Sequence, residues 1–270
     1  MIPTTRMSAF DQVSSQYQQK ALVQQAAAER LLALLNIGEK EDVLDVGCGP
    51  GHITQRIKAI TQGRVVGTDI SAGMIAQARE KYPAIDFRQL AAEKLDYQQD
   101  FDVVFCNSAF QWFTPPAKSV DAMCAAVRAG GRIGVACPAT DNWSTCFKAV
   151  AAEAGAHTDT SAAFARCKPP WVYLSDEQSY QILFEAAGLE TNICRIEVEE
   201  HHYDTEQAIA VFASGAAQGY TTKEFYEMPI DDDYVYRFNQ YTRLAIEKRA
   251  QDGKVKVDFR RLYYVGKKKS

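Results

Sequence analysis

Three glycines at alternate positions, Gly47, Gly49 and Gly51, follow directly on the short run Val43-Leu44-Asp45-Val46. A helix-compatible segment, His52 to about Ala59, comes next. This is the pattern of a strand that turns sharply into a helix beneath a nucleotide-like ligand. Glycine permits the tight turn, and it lets backbone N–H groups approach a ligand that a Cβ would hold off. The spacing narrows the choice of ligand. A dinucleotide fingerprint, G-x-G-x-x-G, needs glycine five positions after Gly47, and His52 stands there. A phosphate-cradling loop needs Gly-Lys-Ser/Thr after the glycines, and none is present.

Strand and helix signals alternate around this turn. Helical periodicity covers about 18–35, with Leu22, Val23, Ala26, Leu31, Leu34 and Leu35 on one side and Asn36 and Gly38 ending it. Strands are predicted at 42–46, 64–68 with Asp69 at the end, 85–89, 101–106 and 132–137. Helices are predicted at 72–81, capped by Ser71, and at 117–127, closed by Gly130-Gly131. Strands joined by crossover helices give an α/β fold with a parallel sheet covered on both faces. The carboxyl ends of its strands, where such sheets bind ligands, bring together 45–51, Asp69 and Cys106-Asn107. The second half is less regular, with a helix at 176–187 and alternating runs at 191–203 and 257–265. The chain reads as one domain, 1–270. Residues 1–38 form N-terminal helices over the ligand and 39–138 the binding core. Segments 139–175 and 204–254, the latter mostly helical, are insertions over the ligand edge.

Composition sets limits on partners. A net charge of −4 gives no general attraction to nucleic acid or to an anionic membrane. The seven cysteines are scattered and never at C-x-x-C spacing, which fits reduced thiols in the cytoplasm better than a disulfide frame or a zinc site. Met1 to Arg6 lacks the apolar core of a signal peptide, and no run is long enough to span a bilayer.

The segment Asp45-Val46-Gly47-Cys48-Gly49-Pro50-Gly51 closely resembles the first motif of class I S-adenosylmethionine-dependent methyltransferases. The resemblance implies a doubly wound, mostly parallel seven-stranded sheet with its last strand antiparallel, and S-adenosylmethionine as cofactor. It implies that Asp45, Gly47, Cys48, Gly49 and Gly51 hold the methionine end and ribose. Asp69 accepts from the ribose hydroxyls, or alternatively caps the helix that follows. Ile70, Met74, Ala91, Ala92 and Asn107 complete the cofactor-binding set that the resemblance implies, with Ile70 on an adenine face and the Ala92 backbone against the ring. Ala91 stands where the family often has an acidic residue for the adenine amino group. The segment Asn107-Ser108-Ala109-Phe110-Gln111-Trp112 lacks the Asn-Pro-Pro-Tyr signature of base-methylating enzymes. It resembles the Asn-x-x-x-Gln-Trp stretch of small-acid methyltransferases, the group that includes trans-aconitate and malonyl-carrier-protein methyltransferases. Phe10, Tyr17, Gln24 and Gln25 resemble the segment that closes over cofactor in the latter.

The expected function is therefore methyl transfer to a small molecule or a carrier-bound acyl group, with a carboxylate oxygen as the acceptor. Candidates on the methyl side are Asn107, Gln111, Trp112, Arg166, Trp171 and Tyr17. A carboxylate is ionised at neutral pH and needs no general base. It needs a cation to position it, and Arg166, Lys168, Arg237 and Arg243 lie in the insertions. A phenol or amine acceptor would instead need a base, for which His157, His201 and His202 are available. Two alternatives stand beside this reading: O-, N- or C-methylation of a natural product or quinone, and a non-catalytic cofactor-binding scaffold.

Overall fold

The computed structural model describes residues 25–269 of the chain. Within them a seven-stranded sheet has the order β3-β2-β1-β4-β5-β7-β6. Its strands are β1 (Val43–Val46), β2 (Val65–Asp69), β3 (Asp86–Gln89), β4 (Phe101–Asn107), β5 (Val127–Pro138), β6 (Leu189–Asp204) and β7 (Lys254–Lys268). From β3 to β5 all pairings are parallel, and β7 runs antiparallel to β5. The expected doubly wound sheet with an antiparallel last strand is the one observed. Strand order reverses between β1 and β4, and sheets of this kind bind ligands outside the carboxyl ends of the strands at that point.

The chain divides into two compact units. One comprises 25–141, 171–197 and 260–269 among the described residues and contains β1 to β5. Its strands alternate their side chains between two cores, as the period of two requires. Leu44, Val46, Val104, Cys106 and Val135 pack with Val120 and Met123 of α4 (Pro116–Ala126) and with Tyr180 and Phe184 of α7 (Glu177–Ala186). Val43, Val103, Phe105, Ala136 and Tyr263 pack on the other face with Leu31 and Leu35 of α1 (25–35) and Ile57 of α2 (His52–Ile60). All four residues of β1 are buried, as expected of a parallel strand covered on both sides. A smaller core of Ile75, Ala78, Ile85 and Phe87 seats α3 (Ala72–Lys81).

The other unit holds, among the described residues, 142–170 and 198–259. Its helices are α5 (Thr145–Gly155), α6 (Ser161–Phe164), α8 (Thr205–Ser214), α9 (Gln218–Thr221) and α10 (Asp232–Glu247). Sequence patterning gives these segments no evident core, yet their aromatics build one. Phe147 meets Phe212 and Phe259 edge-on, and Phe164 stacks against Phe238 beside Tyr220. Most of the 220–241 aromatics are thus packing residues, with Tyr236 exposed.

One strand boundary differs from expectation for a clear reason. The helix predicted to reach 127 ends at Ala126, and β5 begins at Val127, not at Arg132. Val127 pairs with Phe101, after which the register shifts between Phe101 and Val103, and this irregular stretch absorbs Gly130 and Gly131. No helix among the described residues is long and apolar enough to cross a membrane.

Candidate active site

The glycine turn is strapped to its neighbour strand. The N–H groups of Gly47 and Cys48 both donate to the Thr68 carbonyl, at 2.7 and 2.9 Å. Gly47, Gly49 and Gly51 have φ of 77°, 54° and 83°, all left-handed. Their reasons differ. A Cβ at Gly47 would lie 2.3 Å from Ala109 Cβ, and one at Gly51 would lie 2.7 Å from the Phe87 ring. A Cβ at Gly49 would meet nothing within 4 Å. Gly47 and Gly51 are small because protein lies against them. Gly49 is bare on a side that faces open space, which is where a ligand can approach the backbone. Gly51 is also the N-cap of α2 and offers no side-chain cap to that helix. The positive end of α2 therefore begins at the loop, a favourable place for a carboxylate.

Asp69 closes β2 beside this loop. Its Oδ2 accepts from Gly49 N–H at 2.9 Å and its Oδ1 from Ser71 N–H at 2.8 Å. Each oxygen has a further lone pair with which to accept a hydroxyl. Capping of α3 falls to Ser71, whose Oγ accepts from Met74 N–H at 3.3 Å. Of the two roles open to Asp69 in the sequence, helix capping is thus already filled by another residue. Ile70 follows with its side chain 70% exposed, and its carbonyl accepts from Gln89 Nε2. Leu90 N–H donates to the Asp69 carbonyl, and Ala91 precedes a short 3-10 turn over Ala92–Lys94. These residues line up along the carboxyl ends of β2 and β3.

Asp45 lies beneath the loop, not on its open side. It is 2% exposed, and its Oδ2 accepts from Thr54 Oγ at 2.7 Å. Burial pushes its pKa up to about 7; the Thr54 bond opposes that rise and the nearby Asp69 charge adds to it. Asp45 thus acts on the loop from below, through α2. Cys48 is buried and its thiol is driven well above its ordinary pKa by that burial, so it is an inert filler of the turn.

On the methyl side, β4 ends at Asn107 and the chain turns at Ser108 with φ of 56°. Ser108 N–H donates to the Ala136 carbonyl, and the buried amide of Gln111 donates through Nε2 to the Ser108 carbonyl at 2.9 Å. Gln111 is thereby a brace of the turn. Its own carbonyl accepts from Val172 N–H at 2.8 Å, which brings Trp171 edge-on to Trp112 with ring centroids 5.8 Å apart. Gln111, Trp112 and Trp171 are thus brought together at the turn that follows Asn107. Arg166 belongs to the other unit, where its side chain is exposed and its carbonyl accepts from Glu227 N–H. Tyr17, Phe10 and Gln24 lie outside the described residues. His157 stacks on Tyr241 and His201 on Tyr203. Lys168, Arg237 and Arg243 form ion pairs with Glu227, Asp159 and Glu206.

Two participants escape sequence reasoning. Thr54 is one, since nothing in the motif marks the hydroxyl that holds Asp45. Arg261 is the other. It is 4% exposed and donates through Nη1 to Ser108 Oγ at 3.2 Å. It shares the register of Val257, Phe259, Tyr263 and Val265 in β7, a strand whose opposite face, with Leu262 and Tyr264, is buried as well.

The geometry fits an adenosyl cofactor on two counts. An open approach to a bare, left-handed glycine lies beside an oriented carboxylate, and the positive end of a helix opens on the same loop. Comparison with known proteins agrees. A family model described as a methyltransferase domain matches residues 43–131. The malonyl-[acyl-carrier protein] O-methyltransferase of Acetivibrio thermocellus is 32% identical over 127 residues, a match that spans 45% of each chain. The chain thus matches less than half the length of that relative. The trans-aconitate 2-methyltransferase of Methylobacterium nodulans is 25% identical over 260 residues, 94% of this chain and 97% of that one. Among solved structures, the YcgJ protein of Bacillus subtilis superposes with a TM-score of 0.61 at 17% identity, over 91% of this chain and 99% of the other, which shows a shared fold. Residues 43–131 thus match a methyltransferase domain, within a fold that the chain shares with the YcgJ protein.

Proposed function

We propose that this protein transfers a methyl group from S-adenosylmethionine to a carboxylate oxygen of a small acid or a carrier-bound acyl group. The observation that carries the cofactor half is the Asp69 carboxylate, held by Gly49 N–H and Ser71 N–H at the edge of the open glycine turn. Support for the acid half comes from the relatives, whose names specify trans-aconitate and malonyl-carrier protein.

Bound S-adenosylmethionine supplies a methyl group already activated on a sulfonium. The work left to the chain is to orient and to exclude water. Asp69 holds the ribose and so fixes where the reactive end of the cofactor falls. Gly47 allows Ala109 to press against the loop, which couples the turn after β4 to the glycine turn. Gln111 stiffens that turn, and Trp112 with Trp171 gives it an apolar wall against water. A carboxylate acceptor arrives ionised, so none of these residues has to remove a proton. The seven cysteines are free, the state a reducing cytoplasm maintains, and the reading places the enzyme there.

Calorimetry with S-adenosylhomocysteine tests the cofactor half; folded protein that shows no heat of binding removes it. Transfer of labelled methyl to trans-aconitate and to malonyl-acyl carrier protein tests the acid half. Cofactor binding without transfer to either acid, but with transfer to a phenol or amine, would replace it.

A further inference from the structure

Gln89 is the last residue of β3, and in the parallel pairing of β2 with β3 it stands directly opposite Asp69. Neighbours across parallel strands direct their side chains to the same face of the sheet, one strand spacing apart. Asp69 is tied to Gly49 N–H after β1, and Gln89 Nε2 donates to the Ile70 carbonyl just beyond β2, at 3.3 Å. That bond orients the amide. A carbonyl acceptor requires the NH2 side of the amide, which leaves Oε1 and one Nε2 hydrogen to other partners. Among the described residues the Gln89 side chain makes no other hydrogen bond. Gln89 is exposed, and the side chain of Ile70 is itself 70% exposed. A polar amide edge and an uncovered apolar side chain thus stand together at the carboxyl ends of β2 and β3.

The strand order β3-β2-β1 sets these groups out in the order of the cofactor's parts. On the cofactor reading above, the methionine end belongs to the glycine turn after β1 and the ribose to Asp69 after β2, which leaves the side of β3 to the base. Adenine carries an amino donor at N6 beside an acceptor at N7, and a glutamine amide matches that pair with its own acceptor and donor. Ala91 brings no polar side chain to this end of the sheet. We propose that Gln89 reads the adenine edge of S-adenosylmethionine, its Oε1 accepting from the N6 amino group. This rests on the cofactor reading and makes it more specific, by naming the side chain that selects the base. The tie to Ile70 is what makes the contact selective. A free amide could turn over to suit a base with an oxygen in place of the amino group, whereas this one would lose its bond to the Ile70 carbonyl by turning. A 6-oxo purine would therefore set its oxygen against Oε1, two acceptors with no hydrogen between them.

The test is calorimetry on the full chain with S-adenosylhomocysteine and with S-inosylhomocysteine, which carries an oxygen in place of the amino group. Wild type is compared with Gln89→Ala, Gln89→Met and Glu93→Gln. Methionine keeps the length of the side chain without its amide, and Glu93, in the 3-10 turn after β3, is the carboxylate that could serve instead. Because Gln89 is exposed, its variants should match wild type in urea unfolding. Wild type should bind S-adenosylhomocysteine about 10-fold or more tightly than S-inosylhomocysteine. Both Gln89 variants should lose that preference to within about twofold, by weakening S-adenosylhomocysteine and leaving S-inosylhomocysteine nearly unchanged. Glu93→Gln should keep it. Equal affinity of wild type for the two ligands overturns the role of Gln89 without any variant, and leaves the cofactor reading standing. A preference that survives in both Gln89 variants overturns it as well, and its loss in Glu93→Gln instead would pass the role to that carboxylate. Folded wild type that binds neither ligand overturns the cofactor reading, and Gln89 with it.

Discussion

At the scale of single residues, the three glycines of the turn look alike in sequence and separate in the structure. Gly49→Ala puts a methyl group into open space at a φ of 54°, so its cost to folding is the left-handed strain alone, about 1–2 kcal/mol. The same methyl intrudes where the ligand approaches. Gly49→Ala should therefore lose S-adenosylhomocysteine binding while remaining folded, as read by calorimetry beside urea unfolding. Gly47→Ala adds a contact of 2.3 Å with Ala109 to similar strain, and should be markedly less stable than Gly49→Ala in the same unfolding experiment. Asp69→Ala removes an oriented charged acceptor and should weaken S-adenosylhomocysteine binding by about 1.5–3 kcal/mol. An unchanged affinity would leave Asp69 as nothing more than a tie between Gly49 and Ser71. The motif located all of these residues, because glycine spacing and a strand-ending acid are local features of the chain. It did not locate Thr54 or Arg261, since each reaches its partner only once a helix or a distant strand has docked.

At the scale of elements, some helix starts were legible from a capping residue before a periodic run, while that of α5, capped by Ser144, was not. Ser71 caps α3, where the patterning puts it, and Asp176, read as the first residue of its helix, is the cap of α7. Asp204 and Gln207 form a reciprocal capping box at the start of α8. The start of β5 was not legible, because its first residues pair across a register shift that leaves no periodic trace. Nor was α6, a single turn whose seat is made by a residue elsewhere. A Cβ at Gly155, the last residue of α5, would lie 2.2 Å from the Phe164 ring, and Phe164 is in turn stacked on Phe238. Alanine ordinarily favours a helix over glycine by about 1 kcal/mol. Here overpacking should outweigh that gain, and Gly155→Ala should be destabilised by about 1–3 kcal/mol in urea unfolding. A stabilised Gly155→Ala variant would mean that α6 does not press on α5 as described.

At the scale of the whole molecule, stability against pH is the sum of carboxyl groups that pull in opposite directions. Glu41 is held below its ordinary pKa, chiefly by its bonds to Arg132, and hydrogen bonds to Arg128 and to Arg64 N–H lower Asp42 against the opposing effect of burial. Groups of this kind stabilise the fold above their unfolded pKa, and that contribution is lost as pH falls. Asp45 does the reverse. Its folded pKa is about 7 against an ordinary 3.8, because burial disfavours its charge. The folded state keeps a proton that the unfolded chain has released, so the contribution of Asp45 is complete below about pH 4 and is lost as pH rises towards and through 7. The full span amounts to roughly 2–4 kcal/mol. Asparagine can accept the same Thr54 hydroxyl without ever becoming charged. Asp45→Asn, compared with wild type in the absence of cofactor, should therefore gain about 2 kcal/mol or more in relative stability between pH 5 and pH 8. Urea titrations of both proteins at the two pH values measure this directly. A stability difference that is the same at pH 5 and pH 8 would show that the Asp45 carboxyl titrates as an ordinary one, and that the floor of the glycine turn is open to water.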